Sequence, residues 1–193
     1  TAVQPGNGSL YLDNVLASVN KDDNDYVAFS FQAGEGFMDI VTYEGTGAEQ
    51  QIAHALNEPP GLVITKSIDA NKNWYCWFKS FTKGQRLMLN LSNEVNDNPK
   101  IEIWGDMTDT TFGLGVADVG NNEAGVRYVA YLFADNPDAG IKCGDHSQGA
   151  SETIVCGFKP AWVLLKDTTD ANDWLVFFDD DNSIGALSSD LTR

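Results

Sequence analysis

Three cysteines, two histidines, twelve basic residues and no long apolar run are the scarcities of this 193-residue sequence. Each excludes something. Three cysteines, Cys76, Cys143 and Cys156, are too few for a disulfide scaffold and lack the C-x-x-C spacing of zinc or redox sites. One bond is open to them, between Cys143 and Cys156 if residues 140–145 and 152–157 form a hairpin around Gln148-Gly149; otherwise all three are small buried hydrophobes. No stretch approaches the ~18–20 apolar residues that span a bilayer. The N-terminus, Thr1-Ala2-Val3-Gln4, has neither the charged nor the apolar region of a secretion signal. It also lacks an initiator Met, and is expected to be processed or to belong to a longer chain.

The shortage of base is set against 28 acids, for a net charge of −16. The excess is uneven, with 12 acids to 7 bases in residues 1–100 and 16 to 5 in residues 101–193. Such a surface repels the phosphate backbone and anionic lipid, so neither nucleic acid nor membrane is an expected partner. Catalytic signatures are missing too. There is no Gly-x-Ser-x-Gly elbow, no His-Glu-x-x-His pair and no phosphate-cradling glycine loop. Glu102 and Asp106 share one face of an expected strand, but residues four apart on a strand lie ~13 Å apart. A retaining glycosidase needs its two carboxyls ~5 Å apart. Non-enzymatic function is the expectation.

What the sequence does have is apolar and aromatic material, 42% and 11%, and a repeat. Tyr26-Val-Ala-Phe-Ser-Phe31 returns as Tyr128-Val-Ala-Tyr-Leu-Phe133. Gly47-Ala48 with Ile52 returns as Gly149-Ala150 with Ile154. Pro60-Gly-Leu-Val-Ile-Thr-Lys66 returns as Pro160-Ala-Trp-Val-Leu-Leu-Lys166, and Trp74 to Phe78 as Trp174 to Phe178. Two versions of one supersecondary unit follow from this order. The reading divides the chain into N-terminal strands at 1–25, a first unit at 26–133 and a second, incomplete unit at 134–193. The N-terminal strands are expected to close the second unit, unless the array continues.

Apolar residues alternate or run in blocks of four to eight, broken by Gly, Asn and Asp about every ten residues, which is an all-β pattern. Strands are predicted at 9–18, 26–32, 37–43, 50–55, 61–67, 73–80, 86–91, 100–105, 111–115, 126–133, 140–145, 152–157, 161–167, 173–178 and 183–187. No significant helix is expected. Many short antiparallel strands bury their inner faces by pairing two sheets, so the fold expected is an antiparallel β-sandwich with an aromatic core.

Candidate sites lie in loops and on tryptophans. The loops Asp69–Asn73 and Asp167–Asp173 occupy equivalent positions in the two units, and their Asx oxygens suit Ca²⁺, which takes 6–8 oxygen ligands. They also suit hairpin turns whose side chains bond their own backbone. The candidate ligands are Asp170, Asn172, Asp173 and the run Asp179, Asp180 and Asp181; a second acidic run is Asp22–Asp25. Trp77, Trp104 and Trp162 have no identical residue in the other unit. They are candidates for stacking on a glycan or partner, with core burial as the alternative.

The words Gly36-Phe to Tyr43, Gly45-Thr-Gly47, Ile52-Ala-His54, Pro60 to Lys66, Asn73-Trp74, Tyr128 to Ala134, Gly157 to Lys166 and Asn172-Asp-Trp174 resemble a β-rich domain of unassigned function. That domain recurs in tail-fibre and other virion proteins of marine tailed bacteriophages. The resemblance spans about residues 26–181. It implies a non-enzymatic component of an extracellular virion, most simply a tail-fibre or particle-surface module used in host attachment. Other virion subunits, further molecules of the same chain and a host surface glycan are the implied partners. A capsid decoration protein and a secreted carbohydrate-binding module are the alternatives.

Overall fold

The computed structural model describes residues 3–6, 9–12, 23–25, 30–116, 120–147, 153–178 and 187–188. It divides into two compact units, residues 1–32 and 33–193. The first contains the antiparallel pair β1 (Val3–Gly6) and β2 (Ser9–Leu12).

The second unit contains β3 (Met38–Glu44), β4 (Gln50–Ala53), β5 (Pro60–Ser67), β6 (Tyr75–Phe78), β7 (Gln85–Met88), β8 (Asn96–Asp97), β9 (Trp104–Met107), β10 (Thr111–Leu114) and β11 (Arg127–Ala134). After a single 3₁₀ turn at Pro137–Ala139 come β12 (Trp162–Leu165), β13 (Leu175–Phe178) and β14 (Leu187–Ser188). The fold is all-β and antiparallel, with packed sheets, as the sequence pattern predicts. No α-helix occurs among the described residues.

The largest sheet has six strands in the order β3-β11-β5-β6-β7-β8, and a three-stranded sheet runs β4-β10-β9. Their facing surfaces form one core. Tyr128, Ala130, Leu132 and Ala134 of β11 alternate onto it with Tyr43, Val63 and Trp77, and they meet Trp104, Phe112 and Leu114 from the smaller sheet. Tyr43 stacks on Tyr128 at 5.2 Å and meets the edge of Phe112. Gly105 and Gly113 allow the small sheet its irregular register, since a Cβ at Gly113 would lie 2.5 Å from the Asp106 nitrogen. The chain thickens there instead of pairing evenly.

The opposite face of the six-stranded sheet is also buried. Leu62, Ile64, Cys76 and Leu87 form a second core with Trp174, against which Tyr131, Phe133, Phe78 and Leu164 pack. Strand β5 is therefore apolar on both faces, which explains its near-continuous hydrophobic run. Among the described residues of this unit the layers number three: the small sheet, the large sheet, and the β12–β13 hairpin.

That hairpin repeats β5–β6–β7 pair for pair. Leu62↔Phe78, Val63↔Trp77, Ile64↔Cys76 and Thr65↔Tyr75 in β5–β6 become Trp162↔Phe178, Val163↔Phe177, Leu164↔Val176 and Leu165↔Leu175 in β12–β13. Tyr75↔Met88 and Cys76↔Leu87 become Leu175↔Ser188 and Val176↔Leu187. Every partner is displaced by the same hundred positions as the sequence words.

The segment between the repeats departs from the sequence expectation. Residues 141–147 and 153–157 contain no strand, so the hairpin predicted from 140–145 and 152–157 is not formed by the described residues. A local anchor prevails over the alternating pattern. The Asp135 carboxylate accepts the Cys143 N–H at 2.9 Å and is paired with Lys79 and Lys142. This seats Cys143 over Gly61, where a Cβ would lie 2.7 Å from that of Cys143. All three cysteines are free thiols, Cys76 fully buried and the other two half-buried.

Candidate functional site

The two Asx loops have a shared internal architecture. In the first, the Lys66 ammonium donates to the Lys72 carbonyl at 2.8 Å and to that of Ala70 at 3.5 Å. In the second, Lys166 donates to the Asp167 carbonyl at 2.6 Å and to that of Asp170 at 3.4 Å. Both loops close a tight turn at equivalent residues, Lys72 N to Ala70 O and Asn172 N to Asp170 O. A lysine of the chain thus supplies the positive charge around which these carbonyls converge. Burial lowers the Lys166 pKa, opposed by Asp167 and Glu94.

Asp167 organises the second loop. Its Oδ1 accepts the N–H groups of Thr169 and Asp170 at 2.8 and 3.1 Å, and its Oδ2 accepts from Asn172 Nδ2 at 2.8 Å. Those bonds to Thr169, Asp170 and Asn172 hold its carboxyl below the usual range. Of the candidate cation ligands, Asp170, Asn172 and Asp173 lie exposed in this loop, and Asn172 turns its amide to Asp167. Among the described residues no three His, Cys, Asp or Glu side chains are grouped to hold a metal. Asp179, Asp180 and Asp181 lie outside the described residues, as does Asp22. Asp167 is missing from the sequence-based set; the lysine preceding the loop in both repeats was the signal for it.

The three candidate tryptophans separate. Trp104 is fully buried and its Nε1 donates to the Gln85 carbonyl at 3.1 Å, so its ring serves the core. Trp77 is 8% exposed, its ring in the same core. Trp162 is 38% exposed on β12 beside the exposed Val163 and Leu165. It alone of the three presents substantial indole surface.

Two clefts accompany these residues. One, of about 120 Å³, has a floor of Phe78, Phe81, Leu87 and Leu164 and a rim that includes His146 and Lys166. The other is an open groove of about 380 Å³ between Trp77, Pro60 and Met107, bordered by Lys79 and Lys83. Both lysines are committed to ion pairs, Lys79 with Asp135 and Lys83 with Asp106 at 2.6 Å.

Several polar groups inside the molecule are similarly engaged, whereas His54 Nε2, Thr65 Oγ1, Arg86 Nε and Asn121 Oδ1 are buried without a hydrogen-bond partner among the described residues. Asn122, wholly buried, donates to the carbonyls of Ala48 and Gly115, both at 2.8 Å, and accepts from Thr46 N and Gln50 Nε2. Arg127 grips Asp69 with two guanidinium nitrogens, at 2.6 and 3.0 Å, and with its own backbone N–H. His54 is buried, and burial lowers its pKa below the ordinary histidine value.

These features define an antiparallel, all-β sandwich protein whose loops are organised by their own side chains. The family model described as Domain of unknown function (DUF7483) matches residues 10–192, and the chain belongs to that family. Neither a curated protein nor a solved structure matches the chain.

Proposed function

We propose that the chain is a non-catalytic structural module of a bacteriophage virion, carried on a tail fibre or elsewhere on the particle surface and used in host attachment. The observation that carries this reading is the internal use of its polar groups. Asp69, Asp135, Asp167, Lys66, Lys166 and Asn122 spend their bonding capacity on the fold itself. Side chains used in this way build a rigid body, and a rigid β body suits a role in geometry and presentation. The resemblance of its repeated words to those of virion proteins supports the same reading. So does a repeat ladder, because repeated weak sites on one particle gain ~10²- to 10⁴-fold in avidity.

Immunogold electron microscopy of purified particles tests the proposal. Label on the tail or head surface is expected, and particles free of label overturn it. The exposure of Trp162 favours a glycan-contacting surface over pure cementing, because an exposed indole stacks on sugar faces. Glycan-array binding by the full chain is expected to weaken in Trp162→Ala. An array on which neither protein binds assigns the module to cementing.

A further inference from the structure

The residues that follow β4, His54-Ala-Leu-Asn57, carry the chain from the small sheet toward the large one and place Leu56, wholly buried, in the first core. Hydrogen bonds to two other segments hold them there. The His54 N–H donates to the Thr110 carbonyl at 2.8 Å, in the turn between β9 and β10, and the Ala55 N–H donates to Asp39 Oδ2 of β3 at 2.8 Å. The Leu56 carbonyl accepts the Gly36 N–H at 2.9 Å. A further bond is internal, from the Leu56 N–H to Nδ1 of His54 at 3.3 Å. Asn57, at φ +58°, then turns the chain toward β5.

The internal bond fixes the state of the imidazole. A ring nitrogen that accepts a hydrogen bond carries no proton, so the neutral ring holds its proton on Nε2, which is buried without a partner. A second proton can enter only at Nδ1, where it faces the Leu56 N–H and turns an acceptor into a donor. The new charge would also be buried. Burial is the larger influence and lowers the pKa, although the carbonyls of Thr108 and Thr111, Asp39 of β3 and Asp109 of the β9–β10 turn all favour the charged form. A histidine free of such surroundings takes up its proton near pH ~6.5.

We propose that residues 54–57 form an acid-released strap: proton uptake by His54 breaks its bond to Leu56 and shifts the segment toward an open arrangement in which Leu56 leaves the first core. The open strap binds the proton more readily than the closed one. Closure is therefore at full strength above pH ~6.5, weakens as pH falls, and levels off once the closed form is itself protonated. Release uncovers apolar surface between the two sheets.

Amide hydrogen exchange of the full chain tests it, read by NMR from about pH 7.5 to about pH 5 and corrected for intrinsic exchange. Ala55 and Leu56 are expected to exchange faster than Leu132 of β11 throughout, and to lose protection by up to about tenfold per pH unit below pH ~6.5. In His54→Asn, whose side chain offers an oxygen to the Leu56 N–H and does not titrate, that dependence is expected to vanish. In His146→Gln, at an exposed site, it is expected to remain. A dependence that survives in His54→Asn overturns the proposal, as do Ala55 and Leu56 amides that exchange only together with Leu132. A second measurement needs no variant. In the parent chain the His54 ring signals are expected to titrate below pH ~6.5, with the amide shifts of Ala55, Leu56 and Asn57 following the same midpoint. Amides that stay still through that titration overturn the proposal as well.

Discussion

Asn122 is a polar keystone of the fold, because it is buried with four hydrogen bonds that its removal would leave unmade. Thr46 N, Gln50 Nε2 and two carbonyls would lose their partner together. Each buried group left unsatisfied costs ~1–3 kcal/mol, with part of that recovered by relaxation. Asn122→Ala is expected to lower unfolding stability by about 3 kcal/mol in urea titrations. Asp135 makes a contrasting case at the margin of the core. Burial raises the pKa of its carboxyl, but the Lys79 ammonium, the Cys143 N–H and Lys142 outweigh that and hold it low. A carboxyl held low in the folded state stabilises above its unfolded pKa, near 4, and loses that contribution as pH falls through the folded value. Asp135→Asn is expected to cost about 1–2 kcal/mol at pH 7. The gap to the parent protein should close as pH falls through the folded value, where both side chains are neutral. A gap that persists in acid would show that the Cys143 seat, and not the charge, is what matters.

At the scale of elements the repeat was the most legible feature. The sequence words at 60–66 and 160–166 and at 74–78 and 174–178 predict equal strands, and the ladders match them in register. Aromatic alternation also placed β3, β11 and β5, since a half-buried strand must alternate and a doubly covered one must run apolar. What pattern could not supply was the partner of each face. Trp104 and Trp162 look alike in sequence; one turns from the small sheet into the core and the other lies on a hairpin surface. Residues 140–145 read as strand because pattern is blind to the Asp135 anchor, a contact made by charge and not by periodicity. The pair Trp74 and Trp174 tests how far equivalence extends. Trp174 is 1% exposed, and its Nε1 donates to the carbonyls of Met88 and Leu91, whereas half-buried Trp74 stacks on Tyr131. Trp174→Ala is expected to cost roughly 3–5 kcal/mol, the range for emptying a buried aromatic site. Trp74→Ala should cost clearly less, by the same chemical denaturation. Equal losses would mean that the hairpin is not held chiefly through Trp174.

For the whole molecule, net charge opposes compactness. Twenty-eight acids against twelve bases leave a charge of −16, and like charges held on one folded surface destabilise it by self-repulsion. The ion pairs Lys72–Glu123, Lys83–Asp106 and Arg127–Asp69 act the other way, but they lie at the surface, where such pairs contribute little. Salt screens both, because the screening length shrinks from ~20 Å near 0.02 M to ~4 Å near 0.5 M. With acids in more than twofold excess the repulsion is the larger quantity, so the thermal midpoint is expected to rise across that range of salt. A midpoint that falls as salt is added would show that the ion pairs outweigh the repulsion.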